Sequence, residues 1–134
     1  MSRILLDTSA YSAMARGLDE AARHVRQSAE IHVTPIVLGE LYAGFARGTL
    51  QKANLEDLQK FLESPRVQID VIDPETAGRY AVIFNDLRRR GNPVPTNDIW
   101  IAASAMQHGL TVVTADSHFS SIPQVVTALL PTEK

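Results

Sequence analysis

The apolar positions fall into short blocks whose spacing switches repeatedly between strand-like and helix-like. Ile4-Leu5-Leu6 is a continuous apolar run that stops at Asp7, the pattern of a short buried strand over residues 3–7. Residues 9–15 fit a short helix closed by Gly17, and residues 19–29 a second, with Asp19 as its cap and Ala22, Val25 and Ala29 on one side. Residues 31–34 are too few for a helix, are β-branched, and end at Pro35, which makes them a strand. Pro35 suits the first turn of a helix capped by Thr34 and running to about residue 46, with Val37, Leu41 and Phe45 as its apolar stripe. Gly48 ends it. A helix over 50–63 follows, carrying Leu55, Leu58, Phe61 and Leu62, and Pro65 stops it.

Residues 67–72 alternate Val67, Ile69 and Val71 against Gln68 and Asp70, which predicts a half-exposed strand with Asp70 on its solvent face. Asp73-Pro74-Glu75 is a helix start, and Tyr80, Ile83, Phe84 and Leu87 point inward before Gly91. Pro93 and Pro95 fix the loop over 92–95. Thr96 is placed as the cap of a helix over 97–108, closed by Gly109, with Ile101, Ala102, Ala105 and Met106 as a small-residue face and Trp100 as a core or interface side chain. A strand over 111–114, a loop or short turn around Phe119, and a strand over 124–130 complete the order, and residues 131–134 read as a flexible tail.

Alternation of this kind predicts an α/β fold: a central, mostly parallel sheet of four to five strands with helices on both faces. The helical stretch over 35–63 is long enough to form a hairpin projecting from the sheet. With 134 residues and no linker or repeat, residues 1–134 read as a single domain. No cysteine is present, which excludes disulfides, thiolate metal sites and a cysteine nucleophile and is compatible with the cytoplasm. No apolar run approaches a membrane span, and the N-terminus lacks the pattern of a signal peptide.

The acids change the picture. Asp7 and Asp116 stand at or just past strand ends, and in an open parallel sheet ligands bind beyond the carboxyl ends of the strands, although Asp7 alone fits a helix N-cap equally well. At 100° per residue Glu40 falls between Ile36 and Val37, beside the buried stripe of its helix, where an unpaired carboxylate is costly and a cation, hydrogen-bond donors or an arginine at the rim must compensate it. Asp98 lies in the first turn of its helix. Two such charges about 4 Å apart repel by roughly 4 kcal/mol at an effective dielectric near 20, and a divalent cation reverses the sign. Oxygen ligands without histidine or cysteine favour Mg²⁺ or Mn²⁺ over zinc. The histidines at 24, 32, 108 and 118 have no metal-binding spacing and read as surface or core residues. A carboxylate-held metal suits phosphodiester hydrolysis. Thr8, Ser9, Asn97 and Thr114 are hydrogen-bonding neighbours that orient a carboxylate or a water, or serve as caps and turns. The net charge of −2 is not that of a typical nucleic-acid binder. Gathering acids into one metal pocket leaves the remaining surface more basic, and Arg88 to Arg90, the only dense basic run, is a candidate for phosphate contact. The Arg88 to Arg90 run also fits a solvated helix C-terminus. Two other Mg²⁺-dependent classes fail on their motifs: a receiver domain needs paired acids after the first strand and a late lysine, and a haloacid-type phosphatase needs Asp-x-Asp where this chain has Asp7-Thr8-Ser9.

Leu6-Asp7-Thr8-Ser9, Leu38-Gly39-Glu40-Leu41 with Gly44-Phe45, Thr96-Asn97-Asp98 with Ile101-Ala102-Ala103, and Thr114-Ala115-Asp116 with His118-Phe119 resemble, in this order and spacing, a PIN domain, and more narrowly the ribonuclease toxins of VapBC toxin–antitoxin systems. The resemblance implies a three-layer α/β/α fold and a Mg²⁺- or Mn²⁺-dependent endoribonuclease cutting structured RNA such as tRNA or rRNA. It implies Asp7, Glu40, Asp98 and Asp116 as catalytic and metal ligands, with Thr8 and Thr114 as hydroxyl neighbours. It also implies a homodimer silenced by a cognate antitoxin whose tail fills the acidic groove. The chain departs from some relatives in having Ser117 and His118 where a further acid follows Asp116, which takes one ligand from a second metal site. The competing expectation is a non-catalytic RNA- or protein-binding scaffold on the same fold.

Overall fold

The strands β1 (Ser2–Leu6), β2 (Ser28–Val33), β3 (Val67–Ile69), β4 (Thr111–Thr114) and β5 (Val126–Leu129) form one sheet in the order β3-β2-β1-β4-β5. Every neighbouring pair is parallel. The structure is a computed structural model and describes residues 2–131, so most of the expected tail lies outside the described residues. The helices are α1 (Thr8–Ala15), α2 (Asp19–Gln27), α3 (Pro35–Arg47), α4 (Gln51–Leu62), α5 (Pro74–Arg89) and α6 (Thr96–His108), with a short 3-10 helix at Ser117–Ser121.

The central strands are buried on both sides, which is why β1 reads as a continuous apolar run and not as an alternation. Ile4 and Leu6 of β1, with Ile31 and Val33 of β2 and Val113 of β4, pack against Ala10 and Ala13 of α1 and Ala21 of α2. Leu5 and Val112 point the other way, into a larger core with Val37 and Leu41 of α3, Leu58 of α4, Ile83 and Leu87 of α5, and Ile99, Ala102 and Ala105 of α6. Three layers result: α1 and α2, the sheet, then α3 to α6. Helices α3 and α4 pack on each other as the expected hairpin.

Several boundaries differ from the sequence expectation. Helix α2 ends at Gln27, because Ser28 to Glu30 are drawn into pairing with β1, which makes β2 longer than its apolar stretch. Leu18, not Asp19, caps α2, and Pro95, not Thr96, caps α6. Strand β5 is shorter than the apolar stretch over 124–130.

The largest correction is at β3. It is an edge strand of Val67–Ile69 alone, and the expected alternation is inverted there. Ile69 and Val71 are exposed, whereas Asp70 is only 6 % exposed. The Asp70 carboxylate is drawn inward by polar partners: His32 Nδ1 lies 2.7 Å from Oδ1, and Ser104 Oγ donates to Oδ2 at 3.2 Å. The other ring nitrogen of His32 lies 3.0 Å from Glu30 Oε1. A histidine held between two carboxylates binds its proton tightly. The Asp70 hydrogen bond raises the His32 pKa above its ordinary value, burial opposes this, and Glu30 adds to the rise.

Candidate active site

Crossovers lead from β1 to β2 on one side and, through α6, back to β4 on the other, so the strand order reverses between β1 and β4 while the strands stay parallel. That reversal opens a crevice beyond the carboxyl ends of these two strands. Register places Leu6 beside Val113, and the next residues outward are Asp7 and Thr114.

Asp7 caps α1. Its Oδ1 accepts from the Ala10 amide and from Ser9 Oγ, each at 2.8 Å, and its Oδ2 accepts from Thr114 Oγ1 at 2.5 Å. The carboxylate is thus both a helix cap and the inner wall of the crevice. At 3 % exposure it is the most enclosed of the four acids. Burial raises its pKa. The Thr114, Ala10 and Ser9 hydrogen bonds oppose the rise, and the charge of Asp116 adds to it. Thr114 Oγ1 also accepts from the Asp116 amide at 2.9 Å, and Ser9 Oγ accepts from the Ala115 amide at 2.9 Å. These hydroxyls tie the turn after β4 to the turn after β1, so Asp116 cannot shift independently of Asp7.

Glu40 sits half-buried on α3, one helical step from the core positions Val37 and Leu41. Its partners are neutral: Thr8 Oγ1 donates to Oε1 at 2.7 Å and Asn97 Nδ2 to Oε2 at 3.3 Å. Thr8 follows Asp7 and Asn97 precedes Asp98, so Glu40 joins the openings of α1 and α6. Arg3, Arg23, Arg79, Arg89 and Arg90 pair with Glu30, Glu20, Glu75 and Asp86, away from these four acids.

Asp98, in the first turn of α6, has its pKa pushed up to about 6. Burial is the main cause. A hydrogen bond from His118 opposes it, and repulsion from Asp116 and Asp7 adds to it. The structure therefore brings Asp7, Asp98 and Asp116 within each other's field, with Glu40 attached through Thr8 and Asn97.

His118 was not legible as a site residue. Its Nδ1 lies 3.1 Å from both Asp98 Oδ2 and Asp116 Oδ1. The local signal is an Asx turn: Asp116 caps the 3-10 helix by accepting the His118 amide at 2.8 Å, which fixes the residue two places on beside the acid. The Asp98 hydrogen bond raises the His118 pKa, with the charges of Asp116 and Asp98 adding to the effect. Ligand atoms of Asp98, Asp116 and His118 all lie within 4.8 Å of one another, a donor set that suits a divalent cation. His24, His32 and His108 lie elsewhere, on the surface or in the core.

A PIN domain family model matches residues 4–125. Ribonuclease VapC4 of Mycobacterium tuberculosis is 31% identical over 93 residues, covering 69% of this chain and 72% of that protein. Ribonuclease VapC2 of Haemophilus influenzae is 30% identical over 115 residues, covering 84% of this chain and 86% of that protein. Among solved structures, VapBC2 from Rickettsia felis, bound to a DNA fragment from its promoter, superposes with a TM-score of 0.83 at 25% identity, covering 94% of this chain and 97% of that one. DNA-bound VapBC from Salmonella typhimurium gives 0.81 at 26% identity, covering 96% and 98%. A match over nearly the whole length, joined to relatives at this identity, settles the family: the chain belongs to the PIN-domain proteins, among the VapC ribonucleases.

Proposed function

We propose that this chain is a Mg²⁺- or Mn²⁺-dependent endoribonuclease toxin that hydrolyses phosphodiester bonds of structured RNA and is silenced by a cognate antitoxin, acting as a homodimer. The VapC ribonuclease relatives support the activity, and the VapBC complexes among the solved structures support the antitoxin partner. The observation that carries the metal is the convergence of Asp7, Asp98 and Asp116, whose repulsion adds to burial in raising the pKa values of Asp7 and Asp98. Burying repelling carboxylates is costly unless a cation compensates.

Asp7, Asp98 and Asp116 would hold the cation, with Glu40 as a further ligand or the orienter of a water, and His118 at the rim. Asp7 Oδ1 already receives two hydrogen bonds, whereas Oδ2 receives one, from Thr114, and keeps a lone pair for a cation. When bound, a divalent ion supplies positive charge to the phosphoryl and leaving oxygens. The remaining work belongs to the chain. Thr114 and Ser9 fix the Asp7 carboxylate, and Thr8 and Asn97 fix Glu40, which as an acceptor beside the openings of α1 and α6 would orient an attacking water.

Purified chain incubated with total RNA in Mn²⁺ or Mg²⁺ is expected to yield discrete RNA ends that disappear with EDTA. Cleavage that persists in EDTA, or no cleavage with carboxylate-independent metal binding, would remove this reading. Acidity enters through Asp98. Its carboxyl must lose its proton to hold a metal, so kcat/KM at subsaturating metal is expected to rise about tenfold per pH unit below pH 6 and to level off above it. The sign reverses for the metal-free protein. A carboxyl whose pKa is raised on folding loses stability as pH climbs from 3.8 through about 6, so the metal-free melting temperature falls over that range, while the increase given by added Mn²⁺ grows through it and is largest above pH 6.

Thr114→Val keeps the volume of the side chain and removes the hydroxyl that donates to Asp7 and accepts from the Asp116 amide. Loss of such a supporting group typically costs about 10–100-fold in metal affinity or activity. A Mn²⁺ titration by calorimetry is expected to show that weakening, and unchanged affinity would mean Thr114 only terminates the strand.

A further inference from the structure

We infer that the cavity where α5 meets α6 receives one base of the RNA, next to the scissile phosphate. The inference rests on the nuclease reading above and assigns a substrate subsite within it. The cavity measures about 370 Å³ and is lined by Phe84, Leu87 and Arg88 from the end of α5, Asn92 and Val94 from the loop, and Ile99 from α6. This volume falls in the range of small-ligand sites, and the lining is apolar with a few polar groups at the edge.

Its position follows from the hairpin. Asp73 and Thr76 at the start of α5 bond to Gln107 near the end of α6, so the two helices run antiparallel and the end of α5 lies beside the start of α6. Ile99 is the residue after Asp98. Arg90 donates to the Ser121 carbonyl at 2.8 Å, which ties the end of α5 to the 3-10 helix that carries His118. The cavity and the acids therefore share one end of α6. The cavity is also preformed. The Asn92 amide donates to the Leu87 carbonyl at 3.0 Å, Gly91 takes φ 64°, and Pro93 and Pro95 restrict the loop.

The chemistry of the lining fits a nucleotide. Phe84 ends an aromatic stack in which its ring lies 5.9 Å from Tyr80 and Tyr80 lies 4.2 Å from Trp100. Unstacked RNA bases are held by apolar and aromatic surfaces and read through their edges by side-chain amides. The Asn92 side-chain amide has no hydrogen-bond partner among the described residues, so its donor and acceptor are free for a base edge. Arg89 and Arg90 both pair with Asp86, whereas Arg88, at the lip, has no acidic partner among the described residues and is available to a phosphate. A second copy of the chain is a poorer occupant, because a two-fold contact on this patch sets it against itself and brings the arginines of both copies together.

The test uses an RNA that the parent chain cleaves, resynthesised with an abasic ribose at each position flanking the scissile bond. One of these RNAs is expected to show a KM raised about tenfold, the scale of losing one stacked base. Val94→Phe, which fills the cavity, is expected to raise the KM of the intact RNA similarly and to erase the abasic penalty. Arg88→Ala is expected to raise KM for both RNAs, keep the abasic penalty, and reduce the salt dependence of KM. Abasic RNAs cleaved like the intact one, or a penalty unchanged in Val94→Phe, would overturn the subsite. The subsite also fails if light scattering shows Val94→Phe breaking an oligomer while the penalty persists. A parent chain that cleaves no RNA sinks the nuclease reading itself, and a subsite failure with normal cleavage leaves that reading standing.

Discussion

Asp7→Asn is expected to lower metal-dependent RNA cleavage by about a thousandfold or more, since several kcal/mol of transition-state charge stabilisation pass through a bound metal. The fold is expected to survive. Asparagine keeps an oxygen for the Ala10 amide, so α1 stays capped, and the Thr114 hydroxyl can accept from the new amide group. Removing the charge also relieves the burial penalty and the repulsion from Asp116 that together raise the Asp7 pKa. The metal-free variant should therefore melt at the parent temperature or above it. The increase in melting temperature that Mn²⁺ gives the parent should vanish. A variant that cleaves like the parent would exclude Asp7 from catalysis, and one that melts much lower without metal would make Asp7 a structural cap first.

The second large effect concerns stability and lies away from the crevice. His32 and Asp70 are 3 % and 6 % exposed and face each other at 2.7 Å between β2 and the chain leaving β3. Breaking a buried pair by removing one partner costs about 3–5 kcal/mol, because the other is left uncompensated. Asp70→Ala or His32→Ala is expected to lower the melting temperature by on the order of 10–20 °C at pH 6. The dependence on pH has a definite sign. The pKa of His32 is raised on folding, so its contribution is fully present below its unfolded value of 6.5 and is lost as pH rises through the higher folded value. The gap in melting temperature between the parent and His32→Ala should therefore narrow on raising the pH from 6 to 9. A constant gap would show that His32 is neutral throughout and acts by packing alone.

Why Asp7 could be read from the sequence and Asp70 could not is a matter of what covers each strand. Asp7 ends a run buried on both faces, so a polar residue there marks the sheet edge unambiguously. Asp116 follows β4 in the same way, Glu40 lies beside the apolar stripe of α3, and Asp98 follows the start signal of α6. Each of these positions is set by local period and punctuation. Asp70 follows an edge strand whose outer face no helix fully covers, so the hydrophobic period lost its meaning there. The carboxylate instead turned toward His32 and Ser104, which lie 38 and 34 residues away in sequence. Pairing that distant leaves no trace in a window of a few residues. His118 escaped for a related reason: its place beside Asp98 depends on how the 3-10 helix packs against α6, which spacing alone does not encode.

The sheet order has a consequence for how the acids keep their geometry. β1 is the middle strand, laced to neighbours along both sides, and β4 also has a strand on each side. Asp7 and Asp116 leave from the part of the molecule whose amides should exchange with solvent deuterium last. Glu40, Asp98 and His118 hang from helices and a short turn that can breathe without unzipping the sheet. Two of these five side chains are an anvil and three a hand, so an adjustment of the second group leaves the first undisturbed.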